Sequence, residues 1–207
     1  MSDLVFYTNP QSRGRIARWA LEEVGADYEV RVMNYADTMK ADAYLAVNPM
    51  GKVPAIVHRR KVVTKCAAIC AYLGDAFADK GLAPPLADRA DYYRWLFFAA
   101  GPVEAAVTNK AAGFVPSAEQ GRMFGYGSFD QAVDVLEQAV SAHDYIAGDA
   151  FTMADVYVGS QVIWGQQFGT IPARDAFAAY AERLQGRAAY KRGNELDDQL
   201  QATNQIA

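Results

Sequence analysis

The first 32 residues switch between two hydrophobic periods, and that switch restricts the topology more than any other feature of the chain. Leu4–Tyr7 is a short apolar run that ends in Thr-Asn-Pro. Beyond it Ile16, Ala17, Ala20, Leu21 and Val24 recur at helical spacing, with Ser12 suited to cap the helix start and Gly25 placed for a left-handed stop. Tyr28–Val32 then alternates as a second strand. Two strands joined through a helix form a parallel pair with the helix crossing over it, so the opening reads as a βαβ unit.

A polar helical stretch around Thr38–Ala46 follows, then two β-branched runs, Val53–Val57 and Lys61–Thr64, that form a hairpin. Its tip, Arg59-Arg60, lacks the Asn-Gly or Asp-Gly that a two-residue turn prefers, so the turn is either longer or strained. A helix starting near Lys65 is expected to pack Ala67, Ile69, Cys70 and Leu73 on the sheet. The order βαβ, helix, ββα makes an α/β domain over residues 1–79. The Gly and Pro-Pro of DKGLAPPLADR interrupt the periodicity, giving a linker at 80–88, and residues 89–207 read as an all-helical domain. Its helical spacing is clearest over Arg89–Val107, Ser117–Ala142, Met153–Trp164 and Ala173–Gly186, with Gly-Tyr-Gly at 125–127 marking a kink or break. In GDAFTMADVYVG, Thr152 and Asp155 have the spacing of a capping box, flanked by Phe151 and Val156 as a hydrophobic staple.

With 207 residues, 52% hydrophobic and 21% charged, the chain is long enough for one large or two small globular domains. It has no run of about 18 apolar residues to span a bilayer, and MSDLVFYTNP lacks the segments of a secretory signal, so a soluble cytoplasmic protein is expected. The net charge of −4 argues against nonspecific binding to nucleic acid, and no membrane partner is expected. Residues 1–79 carry 10 Lys/Arg against 9 Asp/Glu, and residues 80–207 carry 10 against 15, so the first part is the better host for an anionic small molecule. Cys66 and Cys70 sit four apart on one helix, a spacing that closes almost no loop, and reduced thiols are the plain reading. His58 and His143 lie far apart beside no Cys-rich spacing, so no metal site is expected.

One residue resists this scheme. A helix start carries unpaired N–H groups and the positive end of the peptide dipole, so Lys65 gains nothing from its position even if Thr64 caps the helix. Either it is an indifferent surface residue, or something anionic is held nearby.

Four segments, FYTNPQSRGRIARWALEEVG, VNPMGKVPAIV, VVTKCAAICAYL and GDAFTMADV, together with the domain order, resemble a cytosolic glutathione transferase over essentially the whole chain. The resemblance implies a thioredoxin-like first domain with a cis Pro54 and an all-helical second domain. It implies glutathione as co-substrate with no other cofactor, a small electrophile as second substrate, a detoxification role and a homodimer. Ser12 would stabilise the glutathione thiolate, as the serine or cysteine does in several bacterial and plant branches, and Tyr7 is the second choice. Free thiols ionise near pH 8.5, so stabilising the thiolate is what makes glutathione a nucleophile at neutral pH. The backbone of Val53 would pair with the cysteinyl part of the tripeptide as a strand edge does. In most of the family the positions of Lys65 and Cys66 hold an acidic residue or glutamine followed by serine; the first pairs with the γ-glutamyl amino group, the second holds its carboxylate. Cys66 is a mild departure, since the backbone N–H remains. Lys65 instead presents an ammonium to an ammonium, at a cost on the order of 1 to 3 kcal/mol when partly desolvated.

Three outcomes stay open. Lys65 swings out along its stem, or it pairs with the ligand carboxylate, or the site has turned to a more anionic ligand or none, as in a noncatalytic binding or interaction protein. Glu104 matches the place where related enzymes set a polar residue facing the thiol, with an exposed glutamate as the alternative. Phe98, Phe114 and Trp164 either line a co-substrate pocket or belong to the core. A thiol oxidoreductase using Cys66 and Cys70 fits poorly, because redox pairs usually have two intervening residues.

Overall fold

A computed structural model describes residues 3–204. These divide into two compact units, one of residues 3–80 with 186–204 and the other of Gly81–Gln185.

The first unit is built on a four-stranded sheet of order β2-β1-β3-β4, with β1 at Leu4–Thr8, β2 at Glu29–Val32, β3 at Ala55–His58 and β4 at Lys61–Thr64. β1 and β2 are parallel, with helix α1 (Gly14–Val24) as the crossover, and the other two pairings are antiparallel. Gly25, with φ of 61°, ends α1 as its lack of a Cβ allows. The hairpin tip is strained rather than long: Arg59 and Arg60 both adopt positive φ, 50° and 64°. Arg59 is tied down by its N–H to the Asp3 carbonyl at 3.0 Å and by Nε to the Asp3 carboxylate at 3.2 Å. The polar stretch after β2 is a single 3-10 turn at Thr38–Lys40 and a short α2, Asp42–Leu45. Helix α3 (Cys66–Ala76) buries Ile69, Cys70 and Leu73 as expected and Cys66 besides, while Ala67 is only half-buried.

The domain division expected from sequence differs from this structure at the C-terminus. The last helix of the described residues, here numbered α9 (Ala188–Asn204), belongs to the first unit, where it packs along α1. Arg18 lies buried between the rings of Phe6 and Tyr28 and pairs with the fully buried Asp197 at 3.0 Å. Burial pushes the Asp197 carboxyl pKa up, and the neighbouring Arg18 guanidinium opposes that rise. Glu23 receives both Nε and Nη2 of Arg187, at 2.7 and 2.8 Å, and Arg15 reaches Asp198 at 2.6 Å. Gly193 makes the contact close, since a Cβ there would stand 3.3 Å from the Trp19 Cα.

In the second unit, the expected single helix over Arg89–Val107 is α4 (Ala90–Phe98) and α5 (Glu104–Ala111), joined by a π-helical turn at Ala99–Val103. Pro102 explains the break: it has no N–H to donate, and its ring would clash with the carbonyl of Phe98 in a regular helix. The expected helix over Ser117–Ala142 is shorter too. Its first part is loop with one 3-10 turn, Gln120–Arg122, and α6 (Phe129–Ala142) begins only after Ser128, whose Oγ accepts the Gln131 N–H. Helix α7 (Met153–Gln167) is buried nearly all round, and α8 (Asp175–Gln185) packs on it.

The capping box is present: the Thr152 hydroxyl accepts the Ala154 N–H at 3.2 Å and the Asp155 carboxylate accepts the Thr152 N–H at 2.8 Å. Asp155 also takes the Ile146 N–H and the Tyr180 hydroxyl, so it joins the start of α7 to α8 through a buried carboxylate. Thr152→Ala is expected to destabilise the protein by about 1 kcal/mol, the usual cost of a lost cap. Chemical denaturation followed by circular dichroism tests this, and an unchanged midpoint refutes it.

Candidate active site

One residue of the sheet decides where the candidate side chains meet. Ala55 pairs with Tyr7 on one side and Thr64 on the other, so the exit of β1, the entry to β3 and the exit of β4 share one edge. Thr8–Ser12, Val53-Pro54 and Lys65-Cys66 therefore emerge together.

The turn after β1 is organised by Asn9. Its side chain accepts the Gln11 N–H at 2.9 Å and donates to the Met33 carbonyl at 2.9 Å, which holds the buried residue between two segments. Its backbone carbonyl accepts both the N–H of Ser12, at 3.1 Å, and the Ser12 hydroxyl, at 2.7 Å. The Ser12 oxygen in turn accepts the Gly14 N–H at 2.9 Å. Ser12 thus satisfies an orphan donor at the helix start, but it stands one residue ahead of the cap position, which Arg13 occupies. Gly14 is required here, because a Cβ would fall 2.0 Å from the Thr8 hydroxyl oxygen and 3.0 Å from the Ser12 oxygen.

Val53-Pro54 is a cis peptide. The preceding carbonyl, of Lys52, accepts the Tyr44 hydroxyl at 2.7 Å and the Asn48 amide at 2.6 Å, which fixes the entry to β3. Val53 is half-buried and Pro54 is buried. Among the described residues no hydrogen bond occupies the Val53 backbone.

Lys65 holds the N-cap of α3 with φ of 70°, in the left-handed region, so its strained backbone aims the first N–H groups of the helix at the shared edge. Its side chain is exposed, and the ammonium has no ion-pair partner among the described residues. Cys66 is buried, and its Sγ donates to the Arg13 carbonyl at 3.3 Å, tying the start of α3 to the turn that carries Ser12. Both cysteines are reduced, and burial pushes the thiol pKa of the fully buried Cys70 well up, which withholds the thiolate that disulfide exchange requires. Among the described residues no group of three or more His, Cys, Asp or Glu is placed to hold a metal.

Two expected residues have other partners. Tyr7 belongs to the apolar cluster of Met33, Met39, Tyr44 and Ala55, and its hydroxyl accepts from Arg31 at 3.3 Å. Glu104 lies in the second unit, where its carboxylate accepts the Tyr157 hydroxyl at 3.1 Å. Thr8, Asn9, Gly14, Tyr44 and Asn48 support the site without having been singled out from sequence; the Asn residues of TNP and VNP were the available signal, since short amides organise turns.

The edge as a whole favours anions. Two eleven-residue helices begin there, each with a partial positive end, and Lys65 adds a full charge. A hydroxyl at the start of one helix can donate to a bound anion by turning its proton away from Asn9. That turn is inexpensive, because the Asn9 carbonyl keeps the Ser12 N–H.

The family model "Glutathione S-transferase, N-terminal domain" matches residues 2–75. Glutathione S-transferase GstA of Escherichia coli O157:H7 is 26% identical over 81% of this chain and 85% of its own length. The structure of a sphingomonad glutathione S-transferase complexed with glutathione superposes with a TM-score of 0.75, at 28% identity, over 94% of this chain and 98% of that one. Residues 2–75 thus match the family's N-terminal domain, and most of the chain is similar to glutathione S-transferases. The probable elongation factor 1-gamma 1 of Arabidopsis thaliana is also similar, 25% identical over 65% of this chain, which spans only 32% of that protein. The chain has a thioredoxin-like unit and a helical unit, and it carries lysine and cysteine at the start of α3.

The Gly14–Thr8 contact gives a local test. Gly14→Ala should destabilise the protein by about 1 to 3 kcal/mol, as overpacking does, and Thr8→Ala in the same chain should recover part of that loss. Strictly additive melting shifts in the double-mutant cycle would show that the two residues do not touch.

Proposed function

We propose that this protein is a glutathione transferase, in which Ser12 stabilises the thiolate of bound glutathione for attack on a small electrophile. The observation that carries the reading is the Ser12 hydroxyl at the start of α1, bonded to a carbonyl that retains a second donor when the proton turns away. A charge-assisted hydrogen bond and the helix dipole together lower the thiol pKa toward neutrality. The sulfur then forms a bond to the electrophilic carbon as the leaving group departs with its electron pair, or it exchanges with a disulfide and releases a thiolate. In this reading the Val53 backbone pairs with the cysteinyl segment, beside Pro54, and the N–H at Cys66 holds the γ-glutamyl carboxylate. A second copy of the chain is the proposed partner, and the cytoplasm, where glutathione is kept reduced, is the proposed location. No helix among the described residues is long and apolar enough to cross a membrane.

A second reading is favoured by Lys65 alone, whose exposed ammonium replaces the expected counter-charge. In that reading the chain is a noncatalytic binding or interaction protein whose site takes a different ligand. Calorimetric titration with glutathione separates the two. Binding by the unaltered protein, tightened about 5- to 150-fold by Lys65→Glu, supports a working site with Lys65 as a penalty. No binding by the unaltered protein, with clear binding by the variant, favours the second reading.

Ser12→Ala tests the chemistry. It should lower turnover of a generic aryl halide by about 10- to 100-fold, the worth of one hydrogen bond to a charged group. The activity profile should also move to higher pH, because the bound thiol pKa rises toward its free value of about 8.5. Unchanged turnover at an unchanged pH profile assigns the thiolate to another donor.

A further inference from the structure

The Gly-Tyr-Gly segment shapes a second site that the transferase reading does not use. The loop over residues 112–128 is pinned from both sides: Phe114 N–H bonds the Asn109 carbonyl at 2.9 Å, and the Asn109 amide bonds the Tyr126 hydroxyl at 2.9 Å. Gly127 takes φ of 66°, and its carbonyl lies 3.0 Å from where a Cβ on Gly121 would stand, so neither position accepts a side chain without movement. The result is a chain of aromatic contacts, Phe114 to Phe124 at 5.5 Å and Phe124 to Tyr126 at 5.8 Å.

Between this loop, α5 and the start of α6 is a cavity of about 150 Å³, walled by Ala106, Phe114, Val115, Tyr126 and Phe129. That volume holds a single six-membered ring. Its walls are apolar, and Phe114 and Val115 are 40% and 76% exposed, so the mouth is open and covering it removes apolar surface from water. The one cation on the wall among the described residues, Lys110, places Nζ 3.5 Å from the centroid of Phe129. Lys110 is itself exposed, and the contact with Phe129 keeps its head at the open side of the cavity. Asp130 also borders the cavity but forms no ion pair with Lys110, which leaves the ammonium available to an incoming anion.

We infer that this cavity binds a small monocyclic aromatic carboxylate, with the ring against Phe114, Tyr126 and Ala106 and the carboxylate on Lys110. An amine would meet Lys110 as a like charge, and a dicarboxylate would meet Asp130. One carboxylate pairs with Lys110, and Asp130 on the same wall opposes any further negative charge.

The test uses the full-length protein and ¹⁹F line broadening of 4-fluorobenzoate, with 4-fluorobenzyl alcohol and 4-fluorobenzylamine as neutral and cationic probes. Saturable binding of the carboxylate with a dissociation constant of about 1 mM or tighter is expected, with the alcohol weaker and the amine weakest. Lys110→Met keeps the apolar stem over Phe129 and should weaken the carboxylate about tenfold while leaving the alcohol unchanged. Phe114→Ser should weaken both. Circular dichroism melts confirm that each variant is folded. Ser12→Ala should leave carboxylate binding unchanged, which separates this cavity from the proposed thiol site whether or not that site binds glutathione. Absence of saturable carboxylate binding up to ~10 mM, tighter binding of the amine, loss of binding in Ser12→Ala, or indifference to Lys110→Met each overturns the assignment.

Discussion

The pairing of Ala55 with both Tyr7 and Thr64 is the constraint from which the candidate site follows. Strand register is specified wherever a face is buried, since a slip of one residue would turn the buried Leu4, Phe6 and Ile56 to the wrong side. With that register fixed, three segments distant in sequence must leave the sheet at one edge. Their finer positions then come from polar contacts: Asn9 for the Ser12 turn, Tyr44 and Asn48 for the carbonyl before Val53, and Cys66 for the bridge to Arg13. Burial sets the frame, and hydrogen bonds set the aim.

Much of this was legible in the sequence because it rests on hydrophobic period and turn chemistry. The βαβ opening, the hairpin, the stop at Gly25 and the capping box at Thr152 are local patterns with local causes, and each appears in the structure. Helix α9 was not legible in the same way. Its buried seam includes Gly193 and Asp197, and its hold on α1 includes ion pairs from Arg15, Arg18 and Arg187, so it offers little apolar stripe to read. Arg18 likewise looks like a surface residue on the helical wheel of α1 until α9 covers that face. The break at Pro102 was available in principle, since a proline inside a helical pattern removes a donor. The periodicity on either side of it masked the break.

Within the site, legibility divides by what each residue contributes. Ser12, Val53 and Cys66 offer a hydroxyl at a helix start, a backbone beside a proline and an N–H at another helix start, all recognisable as residue type plus position. Tyr7 illustrates the opposite. A strand gives its side chain only two faces, and the sequence alone did not say which face meets the apolar cluster that absorbs it. Thr8 and Gly14 are a third kind, a packing pair whose need for each other is visible only when the 2.0 Å approach is built.

Lys65 shows how charge and backbone geometry have to be weighed together. Its positive φ is a strain that a helix start tolerates only where surrounding contacts over-determine it, and here the hairpin before it and the Cys66–Arg13 bond after it do so. The backbone is therefore held, whereas the side chain is exposed and unpaired among the described residues. Two unit charges 4 Å apart repel by about 1 kcal/mol in water and about 4 kcal/mol near a protein surface. An ammonium on a flexible four-carbon stem escapes the larger figure by moving into solvent, at the cost of some rotamer freedom. In the proposed transferase the two helix starts, fixed by the backbone, would still draw the carboxylate and the thiolate of an anionic tripeptide. The attraction is built into rigid groups and the repulsion into a mobile one, so under the proposed reading the balance at this edge favours weakened glutathione binding over its loss.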